Sequence, residues 1–123
     1  MSIDVSSLDE LSGASVIVTG ASGFIGLNLV EKLSQLGSKV LVIDRVQPAR
    51  HFPNVEFEWA DLRHLDDQYD ADYLIHLAAV TNAGYAEKYP TDTYEANVLG
   101  TSNLLNHVRI GKRILFPSTA LIY

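Results

Sequence analysis

The sequence predicts a doubly wound parallel α/β domain. Three observations carry this. Short apolar runs rich in β-branched residues alternate with stretches of helical periodicity, the pattern of a parallel sheet wound by right-handed crossovers. The first run, Val16-Ile17-Val18, passes straight into glycines at Gly20, Gly23 and Gly26 and then into an amphipathic helix. The second run, residues 39–44, ends in a carboxylate, Asp44, 18 residues beyond Gly26.

Taken in order, residues 1–13 read as a polar lead-in, a loose arm or a short helical turn around Leu8–Leu11, and residues 14–123 as one domain. The first strand is expected from Ser15 to Thr19. A helix follows from about Gly23 to Leu36. It carries Ile25, Leu29, Leu33 and Leu36 on one stripe and Asn28, Glu31, Lys32 and Gln35 outward. Gly37 is a natural stop. Residues 39–43 are apolar at nearly every position, as expected for a strand covered on both faces. A loop with Pro48 and Pro53 leads to a third strand, Val55–Trp59, placed near the sheet edge because one face is acidic. Residues 63–70 suggest a short helix, and Tyr73–Leu77 the fourth strand. A loop through Gly84 leads to a helix over about Tyr94–Val108, with Ala96, Leu99 and Leu104 at helical spacing. The fifth strand is Arg113–Phe116.

Composition narrows the function. The chain has 123 residues, room for one ordinary domain, and its 47% hydrophobic and 20% charged residues are those of a globular protein. A formal charge of −6 with no Lys/Arg cluster argues against a nucleic-acid partner. The chain contains no cysteine, so thiolate chemistry and disulfides are excluded. The acidic N-terminus is unlike a signal peptide, and no apolar run reaches the ~18 residues that span a bilayer. The expectation is a soluble, cytoplasmic protein with no membrane partner. His51, His64, His76 and His107 share no ligand spacing, so no metal site is expected, and His76 is read as a packed core residue. Asp66, Asp67, Asp70 and Asp72 read as a solvated face. Tyr85, Tyr89 and Tyr94 fit a pocket or a packed loop equally.

The glycine turn carries the chemistry. A buried strand that turns sharply into a helix leaves unpaired N–H groups at the positive end of the helix dipole, which together attract a phosphate. One glycine permits the turn, one lets a pyrophosphate approach bare backbone, and one lets the helix pack close to the strand. Asp44 at the tip of the second strand can accept from both hydroxyls of an adenosine ribose. It would repel a 2′-phosphate by about 4 kcal/mol at 4 Å and an effective dielectric of 20, which favours NAD over NADP. Arg45 next door acts in the opposite sense. Ser118 and Thr119 sit at a strand's carboxyl end, where open α/β sheets place ligands, and are read as functional rather than as hydroxyls satisfying local backbone. Asp61 could cap the segment after it.

Together these residues resemble the N-terminal part of the extended short-chain dehydrogenase/reductases, the NAD-dependent nucleotide-sugar epimerases and dehydratases. The resemblance runs from about residue 15 to the last residue and rests on five ordered motifs. They are the glycine motif Thr19–Gly26, the pair Asp61-Leu62, the segment His76–Ala79, the helix motif Tyr94–Thr101, and the fifth-strand segment Phe116–Tyr123. The resemblance implies a Rossmann-type fold with its strands in the order 3-2-1-4-5, and NAD as cofactor. It implies cofactor contacts from Gly20, Gly23, Phe24, Ile25, Gly26, Asp44, Arg45, Asp61, Leu62, Leu77, Ala78, Ala79 and Asn97. Asp61 would accept from the adenine amine, and Leu77, Ala78 and Ala79 would line the ribose and pyrophosphate. Asn97 would be the structural and proton-relay asparagine, and Thr119 would hydrogen-bond a substrate hydroxyl.

The chain departs from the family at the base. There a tyrosine acts with a lysine four residues later, whose charge lowers the tyrosine's pKa. Here the residues four before Lys32, Lys39, Lys88 and Lys112 are Asn28, Gln35, Gly84 and Val108, and Tyr123 matches the tyrosine that closes the fifth-strand motif. The family's base pair and substrate-binding part lie beyond this segment. The sequence is therefore read as the cofactor half of a longer enzyme acting on a small molecule, a nucleotide sugar, and inactive alone. Two other readings stay open: a non-catalytic dinucleotide-binding module with a second copy covering its sheet edge, and a subunit supplied with the base by another chain.

Overall fold

A computed structural model describes residues 5–118, and the sheet within it is the one expected. Five parallel strands lie in the order β3-β2-β1-β4-β5: β1 Ser15–Thr19, β2 Lys39–Asp44, β3 Val55–Trp59, β4 Tyr69–His76 and β5 Val108–Leu115. β1 lies at the centre, with Val16–Thr19 opposite Tyr73–His76 on one side and Ser15–Thr19 opposite Lys39–Ile43 on the other. The carboxyl ends of β1, β2 and β4 therefore converge, bringing Thr19, Asp44 and His76 to one edge.

Alternation along the strands builds two cores. Val16 and Val18 point to one face, where they meet Val40, Val42 and the Val30 and Leu33 side chains of α1 (Phe24–Gln35). Ile17 points to the other, among Ile43, Leu62, Leu65, Leu74 and Leu104. The lead-in forms a 3₁₀ helix over Val5–Leu11 and is tied to the sheet where the Ser38 hydroxyl donates to the Leu11 carbonyl at 2.6 Å. No helix among the described residues is long and apolar enough to cross a membrane.

The structure corrects several expectations. Ile25 is 71% exposed and Val30 takes its place in the core, because residues 24 and 25 form the lip of the glycine turn rather than the packed face. The helix expected over 63–70 is only a 3₁₀ turn, Leu62–His64. Leu62 and Leu65 are buried, but Asp66, Asp67 and Gln68 follow, so no apolar stripe continues to hold a longer helix. β4 begins at Tyr69, four residues earlier than expected, and Asp72 in it accepts from the Ser15 N–H at 3.0 Å instead of facing solvent freely. The supposed loop through Gly84 holds a helix, α2 (Ala83–Lys88), whose N-cap Asn82 accepts from the Tyr85 N–H at 2.8 Å.

The helix expected from Tyr94 starts earlier, at Pro90. It runs as α3 (Pro90–Tyr94), a π-helical turn (Glu95–Leu99) and α4 (Gly100–His107). β5 follows without a loop. Gly111 and Lys112 hid its first half in the sequence, but Val108 and Ile110 pack on the second core. Tyr85, Tyr89 and Tyr94 are exposed, with the Tyr85 and Tyr89 rings 4.9 Å apart.

Candidate functional site

A cleft of about 1110 Å³ opens along the carboxyl edge of the sheet. Its lining includes Gly20, Gly23, Phe24, Ile25, Gly26, Asp44, Arg45, Asp61, Leu62, Leu77, Ala78 and Ala79, so the expected cofactor contacts other than Asn97 meet in one place. Ser118 also lines it, while Thr119 lies outside the described residues.

The three glycines separate by role. Gly20 turns with φ at +75°, and a Cβ there would lie 2.5 Å from the Ala78 nitrogen. Gly26 packs so closely that a Cβ would meet Ala21 Cα at 2.5 Å and the Gly20 oxygen at 2.6 Å. At Gly23 the nearest atom is 3.7 Å away. The protein itself thus demands glycine at positions 20 and 26, and leaves position 23 bare toward whatever occupies the cleft. Leu27 donates to the Gly23 carbonyl at 2.9 Å, closing the first turn of α1. The N–H groups of Phe24, Ile25 and Gly26 meet no acceptor among the described residues, as at any helix start. Phe24, 87% exposed, and Ile25 offer apolar surface at the same lip.

Asp44 is held before any ligand arrives. One carboxylate oxygen accepts from the Ser22 N–H at 3.1 Å and the Ser22 hydroxyl at 2.8 Å, and the other from the Val46 N–H at 3.1 Å. Its side chain therefore fastens the glycine turn to the tip of β2, and Ser22 is a participant the sequence reading missed. These features fit an adenine dinucleotide: free helix N–H groups for a pyrophosphate, bare backbone at Gly23, and a fixed carboxylate for a ribose.

Beside the tip of β2, where the Ala60 N–H donates to the Asp44 carbonyl at 3.1 Å, Asp61 caps the 3₁₀ turn by accepting from the Arg63 N–H at 3.0 Å. The Arg63 guanidinium grips the same carboxylate with Nη2 at 2.8 Å and Nε at 3.1 Å, and Arg45 Nη1 lies 3.9 Å from it. The Arg63 hydrogen bonds hold the Asp61 carboxyl down at about 2, well below its ordinary value, and Asp61 in turn raises Arg63. Arg63 also reaches Asp92 at 3.1 Å, and Asp92 accepts from the Tyr85 hydroxyl at 2.6 Å. Tyr85 holds Asp92 ionised to lower pH, and Asp92 raises Tyr85. Arg63 thus stitches the turn after β3 to α2 and α3. Any adenine amine reaching Asp61 shares its carboxylate with Arg63, the partner missed from sequence although it stands only two residues away.

Asn97 does not line the cleft. Its Oδ1 accepts from the Val80 N–H at 2.7 Å and its Nδ2 donates to the Val80 carbonyl at 3.0 Å, so its amide pairs like a strand with the segment beside Ala78 and Ala79. Asn97 sits inside the π-helical turn, a local widening that is frequent at functional sites. His76 is 3% exposed and joined to Thr19 and Thr101, and its burial lowers its pKa.

Comparison with known proteins points the same way. The family model for the NAD dependent epimerase/dehydratase family matches residues 16–123. UDP-glucuronic acid decarboxylase 2 of Arabidopsis thaliana is 35% identical over 121 residues, covering 90% of this chain and 27% of the relative. UDP-glucose 4-epimerase of Halalkalibacterium halodurans is 36% identical over 121 residues, covering 89% of this chain and 36% of the relative. Among solved structures, the Bordetella bronchiseptica enzyme WbmF in complex with NAD+ superposes with a TM-score of 0.70 at 29% identity, covering 85% of this chain and 35% of that one. A UDP-N-acetylglucosamine 4-epimerase from Methanobrevibacter ruminantium M1, in complex with UDP-N-acetylmuramic acid, gives 0.78 at 26% identity, covering 91% and 40%. This chain spans about a quarter to two fifths of the length of such relatives.

Proposed function

The chain belongs to the NAD-dependent epimerase/dehydratase family, and on that footing we propose that it is the NAD-binding part of an enzyme acting on a nucleotide sugar. The observation that carries this reading is the cleft itself. Gly20 and Gly26 leave no room for a Cβ, Gly23 stands bare, and Asp44 is fixed by three donors at the tip of β2. When bound, NAD supplies a hydride acceptor at a sugar carbon. The residues of this chain bind and orient: the start of α1 faces the pyrophosphate, Asp44 takes the adenosine ribose, and Asp61 with Leu62 lies at the adenine. Thr119 orients the hydroxyl that loses its proton. Epimerisation, dehydration and decarboxylation all draw on these same groups.

None of the four lysines in the chain follows a tyrosine by four residues, so the 123-residue chain binds NAD without turning over sugar nucleotides. Trp59 is the single tryptophan and pairs in register with Asp44 across the sheet, so its fluorescence reports on the ribose end of the cleft. Titration with NAD is expected to give saturable quenching and a raised unfolding temperature, about 2.7 kcal/mol of added stability at a hundredfold excess over Kd. Incubation with UDP-glucose and NAD is expected to leave the sugar unchanged. A chain that ignores NAD sinks the whole reading, and one that epimerises the sugar sinks the division of labour.

A further inference from the structure

Five polar groups form one chain of hydrogen bonds between the glycine turn and the helix behind the cleft. The Ala78 N–H donates to Thr19 Oγ1 at 3.2 Å, and Thr19 Oγ1 lies 2.5 Å from His76 Nδ1. His76 Nε2 lies 2.8 Å from Thr101 Oγ1, and the Thr101 hydroxyl donates to the Asn97 carbonyl at 2.7 Å. The two ends decide the direction of everything between them. A carbonyl can only accept, so Thr101 gives its one hydrogen to Asn97 and its oxygen receives the hydrogen of His76 Nε2. Nδ1 of the neutral ring is then an acceptor and takes the Thr19 hydroxyl. The Thr19 oxygen is left to accept from Ala78. Each hydrogen is used once, and only the Nε2–H tautomer allows this. With the proton on Nδ1, Thr101 would have to abandon Asn97 and the hydroxyl of the buried Thr19 would lose its acceptor.

The consequence falls on residues 77–80. Leu77 donates to the Thr19 carbonyl at 3.0 Å, Ala78 to Thr19 Oγ1, and Val80 to Asn97 Oδ1. Of the four amides in this stretch of the cleft lining, only that of Ala79 meets no acceptor among the described residues. We propose that His76, held as the Nε2–H tautomer by Thr101, is a positioning residue for the dinucleotide: it turns the Ala78 amide inward onto Thr19 and leaves the Ala79 amide for the ligand. The inference rests on the cofactor reading above. Phe116, stacked on the His76 ring at 5.6 Å, and the burial that keeps the ring neutral both favour a single fixed arrangement.

The test uses ¹⁵N NMR of the histidine side chains, with His76 assigned among the four histidines by loss of its signals in His76→Gln. The wild-type chain is expected to show an unprotonated Nδ1 and a protonated Nε2 at neutral pH, with and without NAD. Thr101→Val keeps the side-chain volume but removes the hydroxyl. It is expected to abolish that signature and to weaken NAD binding about tenfold, with Thr101→Ser restoring both. A protonated Nδ1 at His76 in the wild type overturns the proposal, whether or not the Thr101 variants fold. So does a Thr101→Val chain that binds NAD as the wild type does, or a Thr101→Ser chain that restores neither property. Failure of the wild type to bind NAD overturns instead the cofactor reading beneath it.

Discussion

Asp44 and the glycines do different work although all of them line one cleft. Asp44 is an acceptor surrounded by donors, and two of those donors come from Ser22. Replacing it by alanine removes the ribose acceptor and the charge that repels a 2′-phosphate, while Arg45 remains. Asp44→Ala should weaken NAD about tenfold or more, as expected for losing hydrogen bonds to a charged group. The ratio of NADP to NAD affinity should rise, read by Trp59 fluorescence with each dinucleotide. An unchanged ratio would remove Asp44 from the ribose. The glycines offer a sharper contrast. Gly20→Ala demands φ at +75° from a Cβ-bearing residue and places that Cβ 2.5 Å from backbone, so it should lower stability by about 1–3 kcal/mol or more. Gly23→Ala has neither problem, and should stay within about 0.5 kcal/mol of wild type while still impairing NAD binding. Urea unfolding of both variants beside an NAD titration separates the two roles.

Between elements, the joints are polar. The π-helical turn is held to the segment after β4 by Asn97 and Val80, α4 is held to the turn after β3 by Asn103 donating to the Leu62 carbonyl at 2.7 Å, and α3 is held by Arg63 and Asp92. The Arg63–Asp61 joint has a pH signature. Asp61 falls from 3.8 to about 2 in the folded chain, so the unfolded chain binds its proton first as the medium is acidified. The contribution is fully present above about 3.8 and is lost as pH falls from there through 2. Arg63→Gln removes the cause of the shift. The stability difference between wild type and Arg63→Gln, from urea unfolding at pH 6 and at pH 3, should therefore shrink on acidification. A difference independent of pH would show that Arg63 acts through packing alone.

The sheet separates the apolar interior into two clusters that share no buried residue, one under α1 and one under α4. Leu33 belongs to the first and Leu104 to the second, both essentially inaccessible. Leu33→Ala and Leu104→Ala should each destabilise by about 2–5 kcal/mol. Because the sheet lies between them, the double variant should equal the sum of the two within about 0.5 kcal/mol. Strong coupling in a double-mutant cycle would mean that the cores communicate through the strands. The glycine turn sits where both clusters end, at the carboxyl tip of β1, which is why a cleft forms there and not along the sheet face.

Much of this protein is legible in its sequence, because the signals concerned are local. Strand runs, the stop at Gly37, the spacing of Gly20, Gly23 and Gly26, and Asp44 at the end of its run depend on neighbours a few residues away. They sufficed for a parallel sheet and for the glycine turn with Asp44, whereas the strand order, Asp61-Leu62 and residues 77–79 came from the resemblance of the ordered motifs. What needed the tertiary structure was every feature set by contacts distant in the chain. Ile25 obeys the helical stripe yet faces the cleft, since the close packing of Gly26 on Gly20 and Ala21 sets the helix's rotation. Asn97 is singled out in the sequence through the resemblance, but only the fold brings its amide against Val80. Arg63 looks like a solvent-facing cation until α3 delivers Asp92 to it. His76 reads as a core residue, and its burial bears that out; its hydrogen-bond polarity, however, is decided by Thr19 and Thr101 on two other elements. Local periodicity carries burial, whereas the pairing of polar groups depends on which chain segments the sheet brings together.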